Sequence, residues 1–326
     1  MEKITVFLIL ILSYSFIFGR SAEKRNNNDT VLNISDSVIQ RVYDLERERV
    51  VERADKYLEF KPRTVTAFSS PRSMGGKHDF FSEGPYWWPD PANPDGAYIR
   101  HDGLRNPDRF VEHDDHLRDF SWIVGSLVSA YQITRKENYI EAAMLHINAW
   151  LVDSTTRMNP NMLYAQAIKG ICTGRGIGII DALPLMDVAR SVRIIENSNL
   201  VSAKQIEPVK AWFSEFIEWL TTHQYGIDEM NWINNHSTWW HAQVAVYAKL
   251  VDNQEVLNLC RNNYKEKILP NQMALNGSFP EELDRTKPYG YSLFNLDAIT
   301  ALAWTLTDQN NDMWNYTLDD GRGIKK

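Results

Sequence analysis

The sequence predicts an all-α protein, and three observations carry that reading. Apolar residues recur at helical spacing almost without interruption from residue 115 to 306. No convincing strand-like alternation occurs, and short polar or glycine- and proline-bearing links separate the periodic segments. The chain has 326 residues, 44% of them hydrophobic and 12% aromatic, enough for a substantial core in one large domain or two smaller ones. Consecutive antiparallel helix pairs of this kind either curl into an incomplete α/α toroid with a cleft on its concave side or pack as an orthogonal bundle.

The N-terminus reads as a signal peptide over residues 1–22. Lys3 supplies the cation, a nearly unbroken apolar run follows, and small residues end it at Gly19, Ser21 and Ala22. The run is about fifteen residues, short of the roughly 20 needed to span a bilayer. Secretion or export to a periplasm is expected, with no stable membrane insertion once the peptide is cleaved. A polar, disordered linker is expected over 23–35 and a single helical domain over 36–326. The net charge of −7 and the lack of a long basic run argue against a nucleic-acid partner. The only two cysteines, Cys172 and Cys260, make no disulfide scaffold. No paired Cys and His pattern suggests a metal, and no cofactor motif is present.

Taken in order, residues 36–60 form a long amphipathic helix with Val38, Val42, Leu45, Val50, Ala54, Tyr57 and Leu58 along its stripe. Residues 61–108 then lose all periodicity, and a loop of that length inside a domain is usually functional. Tyr86, Trp87 and Trp88 lie there beside Arg100, His101 and Arg105. Aromatic faces stack on sugar rings and cations pair with carboxylates, so this loop suits an acidic sugar; equally, its tryptophans pin it to the core. Helices follow at 117–133, 139–152, 161–168, 177–195 and 202–223. The run Cys172-Thr-Gly-Arg-Gly-Ile-Gly178 is no phosphate loop, because no strand precedes it and no Gly-Lys-Ser/Thr follows. Close packing of backbone is the better reading, with Arg175 a cleft candidate.

Asn231-Trp-Ile-Asn-Asn-His-Ser-Thr-Trp-Trp-His241 opens the next helix. Asn234 or Asn235 can cap it, which sets His236 at the helix mouth. Further helices are expected near 254–268 and over 296–306. Arg285, Tyr289 and Tyr291 cluster just before the last.

Gly84-Pro-Tyr-Trp-Trp-Pro-Asp-Pro91, Asp102-Gly-Leu-Arg-Asn106, Tyr164-Ala-Gln-Ala167, Cys172–Gly178, Asn234-Asn-His-Ser237 and Glu282-Leu-Asp-Arg-Thr286 with Tyr291 occur in one order. In this the chain resembles the alginate-lyase-like polysaccharide lyases, most closely polysaccharide lyase family 38 and more distantly family 5. The resemblance implies an incomplete α/α toroid that cuts uronic-acid polymers, mannuronate-rich alginate or glucuronan, by metal-independent β-elimination. It assigns catalysis to Asn235, His236, Arg285 and Tyr291. Substrate contacts fall on Tyr86, Trp87, Trp88, Arg100, Arg105, Gln166, Arg175 and Tyr289, with Tyr289 a second candidate for the catalytic tyrosine. In this chemistry Arg285 positions the substrate carboxylate or lowers the pKa of Tyr291. Members of the resembled branch continue past the last helix read here, so either a fragment or a short toroid is expected. Two rivals remain. An α/α-barrel glycoside hydrolase would draw on Asp114, Asp115, Asp119, Glu281 or Glu282; a non-catalytic uronan-binding protein would keep the loop without turnover.

Overall fold

The computed structural model describes residues 36–326, so the expected signal peptide and linker lie outside the described residues. Eleven α-helices are described: α1 (Asp36–Tyr57), α2 (Glu112–Thr134), α3 (Asn138–Leu151), α4 (Leu185–Asn197), α5 (Ala203–Thr222), α6 (Gln224–Met230), α7 (Asn235–Leu250), α8 (Gln254–Asn263), α9 (Leu269–Gln272), α10 (Pro280–Leu283) and α11 (Pro288–Leu306). Packing runs from α1 to α2, from α2 to α3 and α4, from α4 to α7, and from α7 to α8 and α11. None of the described helices is long and apolar enough to cross a membrane.

Helix α7 is the centre of this arrangement. Every residue from Asn235 to Leu250 is buried except His236 and Lys249, as expected of a helix packed on all sides. Tyr247 of α7 packs against Phe213 and Phe216 of α5, and Trp240 is buried on α7 as well. On the other side Phe120 stacks on Trp150 at 5.0 Å between α2 and α3. Each such side chain contributes about 1.5–3 kcal/mol by leaving water.

Three expectations need correction. Residues 161–168 are not helical. Tyr164–Ala167 is strand β4, parallel to β1 (Phe81–Glu83), and Gln166 sits at φ +51°, outside the right-handed helical region. A second pair, β2 (Trp87–Trp88) and β3 (Ile99–Arg100), is antiparallel and shapes the aromatic loop. The last helix begins at Pro288 rather than 296, so Tyr289 and Tyr291 lie within its first turn. Proline fits there because that position has no intrahelical partner for its N–H. In addition, the expected helix 177–195 is a 3₁₀ segment (Gly176–Ala182) followed by α4, with Pro184 at the junction.

The glycines of 172–178 are explained by close approach. A Cβ on Gly174 would lie 1.9 Å from the Leu163 carbonyl oxygen, and one on Gly178 2.6 Å from that of Ala165. The run therefore lies flush against the β4 segment. Both cysteines are free thiols, Cys260 buried and Cys172 partly so.

Candidate active site

Asn234 caps α7, its side chain accepting the His236 backbone N–H at 3.2 Å. Asn235 follows and is 1% exposed. Its backbone N–H and its Nδ2 both donate to Glu282 Oε1, each at 2.7 Å. A carboxylate at a helix N-terminus satisfies donors that the helix leaves over and meets the positive end of its dipole. The pairing also fixes the Asn235 amide, leaving one Nδ2–H and the oxygen to be used elsewhere. His236 is held in the same manner, its Nδ1 2.7 Å from Oε1 of the buried Glu229. Glu229 Oε2 and Glu282 Oε2 are both buried without a hydrogen-bond partner among the described residues.

Glu282 on α10 leads directly to Arg285. That guanidinium lies over the Tyr291 ring, 3.8 Å from its centroid, and bonds Asp102 through Nη2 at 3.0 Å and Nε at 3.3 Å. Tyr86 Oη and Tyr291 Oη share a hydrogen bond of 2.7 Å. Thr286 Oγ1 also donates to Asp102, and Lys287 Nζ to the Gly103 carbonyl. The aromatic loop is thus fastened to the segment between α10 and α11. Burial disfavours the Asp102 carboxylate, but hydrogen bonds from Arg285 and Arg100 outweigh it and hold this carboxyl well below the usual range. Burial, then the hydrogen bond to Tyr86, push the Tyr291 phenol above its ordinary value; the charge of Arg285 acts in the opposite direction and is outweighed. Arg285 shares its charge with Asp102, which limits what it can do for the phenol.

A third group lies along β4. Arg175 Nη2 donates to Gln166 Oε1 at 2.8 Å, and Gln166 Nε2 donates to Asp181 Oδ1 at 3.0 Å. Asp181 also accepts from Ser82 Oγ at 2.6 Å, and its pKa is pushed up to about 6 by burial and by the neighbouring charge of Asp114. The Arg175 guanidinium stands 5.9 Å from the Trp87 ring centroid.

Asn235 therefore meets Glu282, Glu282 precedes Arg285 by one helical turn, and Arg285, Tyr291 and Tyr86 touch. His236 flanks Asn235, and Arg175 with Trp87 adjoins the loop. Trp88 donates Nε1–H to the Leu104 carbonyl and stands partly exposed. Arg100 pairs with Asp102 at 2.7 Å, and Arg105 is exposed. Gln166 is buried with both ends of its amide engaged. Tyr289 is 78% exposed, and it is Tyr291 that lies under the Arg285 guanidinium. Of the carboxylates a hydrolase would need, Glu282 is buried against Asn235 and Asp114 is paired with Arg118. Sequence reasoning missed Glu229, quoted Asp102 only within a family motif and Glu282 only within another or as a hydrolase carboxylate, and gave neither a holding role. The one available signal was the proximity of Glu282 to Arg285 in sequence.

The sequence model of the alginate lyase family matches residues 64–326, and the chain belongs to that family. Among solved structures, a crystal structure of an alginate lyase from Bacteroides ovatus is similar at 34% identity and a TM-score of 0.80, covering 88% of this chain and 78% of that one. Alginate lyase A1-III from Sphingomonas species A1 is similar at 19% identity and a TM-score of 0.54, over 87% of this chain and 74% of its own. A variant of A1-III complexed with a tetrasaccharide gives 17% identity and a TM-score of 0.56, over 87% and 73%. At those identities the A1-III likeness speaks for the helical toroid fold alone. No curated protein matches. The chain is thus a polysaccharide lyase with an all-α toroid fold, acting on an acidic polysaccharide.

Proposed function

We propose that this lyase cleaves mannuronate-rich alginate or glucuronan by syn β-elimination, with Tyr291 as base and acid. The observation that carries the reading is the contact of Arg285 with Tyr291 beside the Tyr86 hydroxyl. Elimination removes the C5 proton of a uronate and expels the O4 oxygen of the glycosidic bond. Negative charge develops on the carboxyl group as the C5–H bond breaks. Asn235 through its remaining Nδ2–H, together with Arg285, would meet that charge with pre-oriented donors and without a metal, with His236 beside them as helper or base. Tyr291 as phenolate takes the C5 proton, the C5–H electron pair becomes the C4–C5 double bond, and O4 leaves with the electrons of the C4–O4 bond. The same hydroxyl then returns its proton to O4, which regenerates the phenolate.

In β-D-mannuronate and β-D-glucuronate the C5 proton and O4 lie on one face, so one tyrosine serves both steps. In α-L-guluronate they lie on opposite faces, and turnover there is expected to be poor. Trp87, Trp88 and Tyr86 would cover the sugar rings, with Arg100, Arg105 and Arg175 beside neighbouring carboxylates; Gln166 would act through Arg175, and Tyr289 would lie at the rim. Such an enzyme would work outside the cytoplasm, where its polymer is found, in keeping with the signal-like N-terminus.

The test is the ultraviolet absorbance of the unsaturated uronate product, followed on polymannuronate, glucuronan and polyguluronate with wild type and Tyr291→Phe. A rise on the first or second polymer, lost in the variant, is expected. Equal rates on polyguluronate would overturn the syn assignment, and binding without any product would favour the non-catalytic reading.

A further inference from the structure

Glu229 takes no part in the elimination as written, yet it is among the most enclosed carboxyl groups near the site. It is 1% exposed in α6, and its Oε1 lies 2.7 Å from His236 Nδ1. A carboxylate only accepts hydrogen bonds, so the shared proton belongs to Nδ1. A neutral imidazole carries one N–H, which leaves Nε2 with a free lone pair. No described residue bonds to Nε2, and the His236 side chain keeps 17% exposure where the rest of the helix start is buried. That lone pair therefore looks out of the protein.

The placement of Glu229 is itself built in. A Cβ on Gly176 would stand 2.8 Å from the Tyr225 carbonyl oxygen and 3.5 Å from Asp228 Cβ, so α6 lies against the glycine run at backbone distance. Tyr225 Oη donates to the Gly174 carbonyl at 3.0 Å. On its other side α6 folds back on the end of α5, where a Cβ on Gly226 would fall 2.0 Å from the Leu220 carbonyl oxygen. Short helices of this kind have little stability of their own and are held by what they touch. The glycines of 172–178 thus set the position of α6, and α6 sets Glu229.

We infer that Glu229 is a positioning residue that fixes His236 in the Nδ1–H tautomer and so presents Nε2 to the bound polymer as a proton acceptor, with the 172–178 run as its seat. The tautomer stands on the geometry alone; its consequence for turnover rests on the lyase reading above.

The first measurement is the tautomer of His236 in the ligand-free protein, read from long-range proton–nitrogen correlation spectra with His236→Ala to assign the signal. The Nδ1–H form is expected in the wild type, and a mixed or Nε2–H form in Glu229→Gln. In the absorbance assay Glu229→Gln is expected to lower kcat by about tenfold to a hundredfold while KM stays within about threefold, because proton transfer and not binding is disturbed. Glu229→Asp, which withdraws the carboxylate from Nδ1, should fall as far. An Nε2–H signal in the wild type overturns the inference without any variant having to fold. Unchanged kcat in a folded Glu229→Gln overturns its catalytic consequence. A wild type with the Nδ1–H signal and no product on any uronan would refute the lyase reading and leave the tautomer assignment intact.

Discussion

Replacing Glu282 by alanine should unlock the start of α7. Glu282 is fully buried, and its Oε1 receives two donors from Asn235 at 2.7 Å. A hydrogen bond to a charged group contributes about 1.5–3 kcal/mol, so losing both costs about 3–6 kcal/mol. Relief of the carboxylate's own desolvation offsets part of this and places the expected loss toward the lower end. At about 2 °C per kcal/mol for a domain of this size, the melting temperature should fall by roughly 6–12 °C, nearer the lower figure. Glu282→Gln keeps an acceptor of the same shape but without charge, and neutral bonds are about half as strong, so its loss should be near half that of alanine. Thermal unfolding followed by circular dichroism, with calorimetry for the enthalpy, reads both variants. A Glu282→Ala protein that melts within about 2 °C of the wild type, a loss near 1 kcal/mol, would refute the claim that this carboxylate holds Asn235.

Tyr291→Phe should keep the fold and polymer binding while lowering kcat by at least about a hundredfold, the scale of general acid–base catalysis, as product absorbance will show. Because the environment raises the Tyr291 pKa, the phenolate is scarce at neutral pH; kcat/KM should climb about tenfold per pH unit toward alkaline pH, and a flat profile would contradict a phenolate base. Asp102→Asn removes the charge that Arg285 now shares and one that itself raises the Tyr291 pKa. The alkaline rise should therefore move to lower pH, which a pH–rate profile of the variant tests. In thiol titration the folded protein should react at Cys172 first. Cys260, buried and with its pKa pushed up to about 12, should react only on unfolding.

The helices with a sustained apolar stripe were legible in the sequence, since burial on one face leaves a periodic mark. The β4 segment was not. Tyr164-Ala-Gln-Ala167 carries helix-favouring residues, and what makes it a strand is its pairing with Phe81–Glu83 far upstream. The beginning of α11 was hidden because Pro288-Tyr-Gly-Tyr291 reads as a turn, and the packing of α11 on α7 overrides that local preference. The residues proposed for catalysis stood out because Asn235, His236 and Arg285 sit in recognisable local runs. Their holders did not: Asp102 and Glu229 act on Arg285 and His236 through contacts that only the folded chain creates. The buried state of Gln166 was equally invisible, for its two partners come from separate segments.

The fastening of the aromatic loop to the far segment has a bearing on how the molecule comes into being. The Tyr86–Tyr291 bond joins residues 205 positions apart, and Asp102–Arg285 joins residues 183 apart. Closing so long a stretch of chain costs entropy that only an already collapsed intervening segment can reduce. Contacts of this separation form late in folding. These two fastenings are expected to close last, so during refolding the helical signal should be complete while the enzyme is still silent. The recovery of turnover then becomes a clock for the closing of the ring itself.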